Sequence, residues 1–220
     1  MAVEINTLYH VSVTVSVLLG LLLLYNWWLH RPSSALGWWG AGFLLVSVGL
    51  ALLAARGALH DLLSINAANA ILFLGTAFWW TGARVFDGRR PHLALMAAGA
   101  VLWVVLCLIP AFYGNINLRI LVASSTLGIY TLAAAYELWR GRAVPLLTRW
   151  PAIALLTFHG ALFFVRIVLA LLAPLEEGLP GAGGGWFVFL HYEIILYEIA
   201  LAFSFFAMAK ERAGQKLVIA

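Results

Sequence analysis

The sequence predicts an all-α integral membrane protein, a bundle of seven transmembrane helices with the N-terminus outside and the C-terminus in the cytoplasm. Three observations lead there. The 220 residues are 64% hydrophobic and 10% charged, against roughly 45–50% and 25% in soluble domains. The apolar residues fall in runs of about 20, the number that spans a hydrocarbon core about 30 Å thick at 1.5 Å per residue. These runs are apolar all round, whereas the strands of a membrane barrel alternate over about ten residues. The composition also excludes collagen-like, purely coiled-coil and disordered chains. The single cysteine, Cys107, has no disulfide partner within the chain.

The first run, Ile5–Leu29, follows a segment that carries Glu4 and no basic residue. It lacks a small-residue cleavage pattern and reads as a retained helix, not a signal peptide. Leu36–Ala55, Ser64–Gly82, His92–Ile109, Leu118–Leu138, Pro151–Ala173 and Trp186–Ala209 complete the seven. The connections are short, the longest being the Gly/Pro-rich Pro174–Gly185, so neither face has room for a soluble domain.

Seven crossings put Arg31, Arg84, Arg89, Arg90, Arg140, Arg142, Arg149, Lys210, Arg212 and Lys216 on one side, ten of the thirteen basic residues. Arg56 and Arg119 fall on the other side, and Arg166 lies within a span. The positive-inside rule makes the basic side cytoplasmic. Trp27, Trp28, Trp38, Trp39, Trp79, Trp80, Trp139 and Trp150 cluster near that side, as interfacial anchors do.

An ionisable side chain at membrane depth costs at least ~2.5–3.5 kcal/mol on insertion scales, so such residues are candidates for function. His159 and Arg166 are seven residues apart in the sixth span, and His191 and Glu198 repeat that spacing in the seventh; each pair shares a helix face. Depth counted from the outer span ends matches Arg166 with Glu193 and His159 with Glu198, two expected pairs between antiparallel neighbours. Arg56, Asn66, Asn69, Arg119, Ser124 and Ser125 gather towards the outer ends of other spans. With Arg166 and His191 they would line an outward-facing pocket of positive bias, suited to a small anion because Arg offers a fork to carboxylate or phosphate. The same groups equally serve to hold helices together. Glu137 and Arg140 are expected to pair along their own helix.

Other chemistries find less support. A retinal Schiff base needs a lysine in mid-span, and the only lysines are Lys210 and Lys216. His159 and His191 differ in depth by about 13 Å, too much for one haem, whereas His10 and His191 share a level and keep a haem-binding gas or redox sensor open. The inverted repeats of transporters are not visible, although a transporter or channel remains a second class and a purely structural dimerising anchor a third. No HExxH cluster, nucleophile with base, or phosphate loop is present. No metal, cofactor or nucleic-acid partner is expected.

The last span ends in MAKERAGQKLVIA, Met208–Ala220, basic and then plausibly amphipathic. The chain is therefore expected to divide into a transmembrane unit, 1–209, and the start of a cytoplasmic signalling helix, 210–220, leading to an output domain. At this point the sequence resembles the multi-span N-terminal sensor regions of bacterial diguanylate cyclases, the GGDEF-domain proteins. The resemblance lies in DLLSINAANAILFLGTAFWWTGARVF (Asp61–Phe86), LRILVASSTLGIYTLAAAYELWR (Leu118–Arg140), the FHGALFFVR stretch ending at Arg166, and the MAKER exit. It implies an inner-membrane input domain, homodimeric through its last helix, that couples a signal to cyclic di-GMP synthesis by a cytoplasmic domain. The segment itself has no GGDEF motif and would not be catalytic. In that reading Arg166, Arg119 and Asn66 hold the ligand, while Glu193 neutralises Arg166 when the pocket is empty.

Overall fold

The computed structural model describes residues 5–29, 34–174 and 184–219. Their regular structure is all helical. α1 spans Ile5–Leu29 and α2 Ser34–Ala54; α3, Ala68–Phe86, is entered through a π-helical turn at Leu62–Ala67. α4 is Leu93–Cys107, α5 the single turn Pro110–Tyr113, α6 Ile116–Arg140, α7 Arg149–Leu172 and α8 Gly184–Ile219.

Local sequence sets the ends. The Asn115 side chain accepts from the backbone N–H of Asn117 and Leu118 and caps α6, satisfying donors that the first turn leaves open. Gly88, with φ +76°, takes the left-handed position just after α3, which a Cβ disfavours.

Among the described residues, six helices are long and apolar enough to cross a membrane, which marks a multi-pass membrane protein. α4 has 15 residues and is shorter than the expected run His92–Ile109. Ile109 is extended, with ψ 112°, because the ring of Pro110 crowds the helical conformation of the residue before it. α3 overruns Gly82 by a turn, and α8 continues ten residues past Ala209.

The six long helices form a ring in the order α1, α2, α3, α6, α7, α8, with α8 returning to α1 and also touching α2. α4 stands outside, against α3 and α6. Small residues set the α2–α3 crossing. A Cβ on Gly75 of α3 would lie 2.9 Å from the carbonyl oxygen of Gly42 in α2, and a Cβ on Gly42 equally close to that of Gly75. The two backbones touch, as small residues permit in membrane helices.

α4 is held by an inserted side chain. The Tyr130 hydroxyl donates to the Leu95 carbonyl (2.7 Å) and accepts from the Gly99 N–H (3.0 Å). A Cβ on Gly99 would meet Thr126 and Tyr130 at 2.7 Å. Gly99→Val is expected to cost about 1–3 kcal/mol by overpacking, whereas Ala98→Val, on the exposed side of α4, should be neutral. Equilibrium unfolding in mixed micelles compares the two, and equal effects would contradict this seat for α4.

Candidate functional site

The membrane core holds a polar cluster built by α1, α7 and α8. His159 Nδ1 on α7 lies 3.0 and 2.9 Å from the two carboxylate oxygens of Glu193 on α8. One turn further along α8, the Tyr197 ring stacks on the imidazole, with centroids 3.7 Å apart and planes at 15°. Glu198 Oε2 is 2.5 Å from Ser16 Oγ on α1, and Ser16 Oγ is 2.8 Å from the Ser12 carbonyl oxygen. Ser12, Ser16, His159, Tyr197 and Glu198 are all buried. Arg166 lines a cavity of about 20 Å³ together with His159, Leu162, Phe163, Glu193 and Ile194, enough for about one water molecule.

The shared face of His159 and Arg166 is as expected, but the partners differ. His159 takes Glu193 in place of Glu198, and Glu198 takes Ser16. Counting depth from the span ends assumed that α7 and α8 finish level. His159 is thirteen residues from the end of α7 and Glu193 nine from the start of α8, so with these two level α7 projects roughly 6 Å further. Ser12, Ser16 and Tyr197 escaped the sequence reading. The signal for the two serines was their i, i+4 spacing, which puts both hydroxyls on one face of α1.

Of the other expected site residues, Asn66 lies in the π-helical turn before α3, Asn69 on α3, and Arg119 and Ser124 on α6. α3 and α6 run parallel, with Trp80 beside Tyr130 and Arg84 bonded to Glu137, which puts Asn66 and Asn69 level with Arg119. Arg119 is buried, with its guanidinium 5.8 Å from the Tyr113 ring. Asn69 donates to the Ile65 carbonyl of its own helix (2.8 Å). Asn66 and Ser124 are buried as well. On antiparallel α6 and α7, Gly128 meets Phe163 and Gly160 meets Leu132, so Ser124 is level with Arg166. Arg56 is within electrostatic reach of both Tyr113 and Tyr9, and Arg166 of Tyr9. Burial first, and then the charge of Asp61, push the Tyr113 phenol above its usual range. The side chain of His191 lies outside the described residues, and with it the His10–His191 level.

The opposite end carries an ionic network. Asp87, just past α3, accepts both Arg149 nitrogens (2.8 and 2.9 Å), with Arg212 at 3.2 Å and Arg89 at 3.4 Å. Glu137 binds Arg84, Arg89 at 2.9 Å and, as expected along its own helix, Arg140 at 3.5 Å. Arg212 also donates to the Phe86 carbonyl, and its guanidinium lies 4.6 Å from the Phe86 ring. Glu211 accepts from the backbone N–H of Leu147 (2.9 Å) and Thr148 (3.0 Å). The sequence hinted at this network by placing Asp87, Glu137 and Glu211 among arginines.

No protein family, no curated protein and no solved structure matches this chain. The likeness to cyclase sensor regions rests on the sequence stretches alone. Among the described residues, no three His, Cys, Asp or Glu side chains come together as metal ligands.

Proposed function

We propose that this chain is a signal-input domain of the bacterial inner membrane that passes its state along α8 to a cytoplasmic output domain. The observation that carries the reading is α8 itself. It is one unbroken helix of 36 residues, about 54 Å long, bonded to the polar core through Glu193 and Glu198 and to the ionic network through Glu211 and Arg212. A displacement at the core is thus delivered to the other end. The output implied by resemblance is a diguanylate cyclase.

Seven crossings and an outer N-terminus are part of the proposal. The ends of α3 and α6 meet in one network, which supports a return of the chain between them through α4. In a Cys107→Ser background, single cysteines at Arg90 and Gly114 should label from opposite sides of sealed vesicles, Arg90 from the cytoplasmic one. Labelling of both from the same side removes the seventh crossing.

The expected ligand is a small anion at Arg166. The cavity there admits about one water, so an anion enters only as α7 and α8 separate. Binding would then shift the population towards a displaced α8, by as much as the ligand prefers that state. Thermal-shift screening of wild type and Arg166→Ala against carboxylates and phosphates tests the ligand. No anion-dependent stabilisation, or an equal response in the variant, rejects it.

A homodimer through α8 has its own support. Among the described side chains, the large apolar residues that α8 leaves exposed are Phe189, Tyr192, Leu196, Ile199 and Phe203, in alternating steps of three and four, and the exposed Lys210 and Ala213 continue the stripe beyond them. They form the one face that α1, α2 and α7 leave uncovered, with the spacing that a second copy of the helix would pack against. Leu196→Cys should form an intermolecular disulfide in membranes far faster than Ile195→Cys, and equal rates would remove the seam from the proposal.

A further inference from the structure

We infer that Glu198 and Ser16 form a buried proton-binding site that latches α8 to α1, with Glu198 carrying the proton as a neutral carboxylic acid. The inference follows from counting protons. A serine hydroxyl has one proton to give, yet Ser16 Oγ lies 2.8 Å from the Ser12 carbonyl oxygen and 2.5 Å from Glu198 Oε2. The carbonyl can only accept. Were Glu198 ionised, two acceptors would compete for one proton, and a carboxylate 1% exposed would stand at membrane depth without a cation bonded to it among the described residues. With the proton on Glu198, the carboxyl O–H donates to Ser16 Oγ, and the Ser16 hydroxyl donates to Ser12. The chain is then complete and neutral, and 2.5 Å is within the range for O–H···O.

Among the described residues, the surroundings bring no cation into bonding contact with Glu198. On α8 itself the ionisable neighbours are Glu193 and Tyr197. α7 brings His159, whose Nδ1 is taken by Glu193, Arg166 beside the Glu193 cavity, and Arg149, held by Asp87 at the far end. α1 brings Tyr9, His10 and Tyr25, and α2 has no ionisable residue. Loss of the proton to solvent would leave a carboxylate facing the competing Ser12 carbonyl, and the α1–α8 contact would loosen. The contact therefore belongs to the protonated state and is lost as pH rises. The site depends on the membrane placement of α1 and α8 and not on the identity of the output, so the anion screen above can fail without affecting it.

Infrared difference spectroscopy of the purified chain in lipid nanodiscs tests it. At neutral pH wild type should show the C=O stretch of a protonated carboxyl, absent in Glu198→Gln, retained in Glu193→Gln and moved to higher frequency in Ser16→Ala, where its acceptor is gone. Glu198→Gln supplies an uncharged donor in the same place, so it should fold, and its unfolding temperature should lack the fall that wild type shows as pH rises from the ordinary carboxylate range, where the unfolded chain gives up this proton and the fold keeps it. A spectrum unchanged in Glu198→Gln, or the same fall with rising pH in that variant, overturns the site.

Discussion

Asp87→Ala is expected to destabilise the bundle by about 3–5 kcal/mol, the range seen when one partner of a buried ion pair is removed. The loss is large because Arg149 is 1% exposed and takes both of its carboxylate bonds from Asp87. The Arg149 guanidinium would keep the Leu138 carbonyl (2.9 Å) and the Phe86 ring (5.5 Å), neither of which balances its charge. The double variant Asp87→Ala, Arg149→Leu should recover much of the loss, since most of the penalty is the stranded charge. Equilibrium unfolding of the two single variants and the double in mixed micelles makes the comparison. Additive losses would mean that Arg149 is compensated elsewhere. Hydrogen exchange should also rise along the end of α8, which loses its Arg212 anchor.

Trp39→Ala should cost about 3–5 kcal/mol, as large-to-small changes of buried aromatics do. Trp39 is fully buried on α2, stacked on Phe205 of α8 at 4.1 Å and 6°, with Phe86 at 5.5 Å and its Nε1–H donated to the Trp79 carbonyl at 3.2 Å. A single side chain thus joins α2, α3 and α8. Trp39→Phe retains most of the stack and loses the hydrogen bond, worth about 1 kcal/mol, and should fall well short of the alanine effect. Near-equal losses for the two would place the energy in the indole N–H instead of the packing.

Much of this was legible in the sequence, because run length and apolarity are local properties. They placed α1 and α6 within a few residues of their observed ends and put His159 and Arg166 on one face. Partner choice across helices is not local. It depends on how far α7 projects past α8, which no count from span ends supplies, and so His159 was matched with Glu198 instead of Glu193. The α3 boundary failed for a related reason. Arg84 reads as a headgroup anchor until Glu137, 53 positions later, is known to lie beside it. Asn66, Asn69 and Arg119 were read only as gathering towards the outer ends of their spans, and their common level follows from the register of α3 against α6.

The position of α4 bears on the surrounding lipid. Its 15 residues rise only about 22 Å, and it sits outside the ring with Leu95, Val101, Leu102, Val104 and Val105 exposed, where neighbouring helices cannot hide the shortfall. In the seven-crossing arrangement proposed above, a bilayer of ordinary thickness must pinch towards this face, at a fraction of a kcal/mol per ångström of hydrophobic mismatch. One side of the protein thus prefers thin membrane while the long helices opposite are matched to a thicker one. Lipid composition itself becomes a variable to which the tilt of the ring responds.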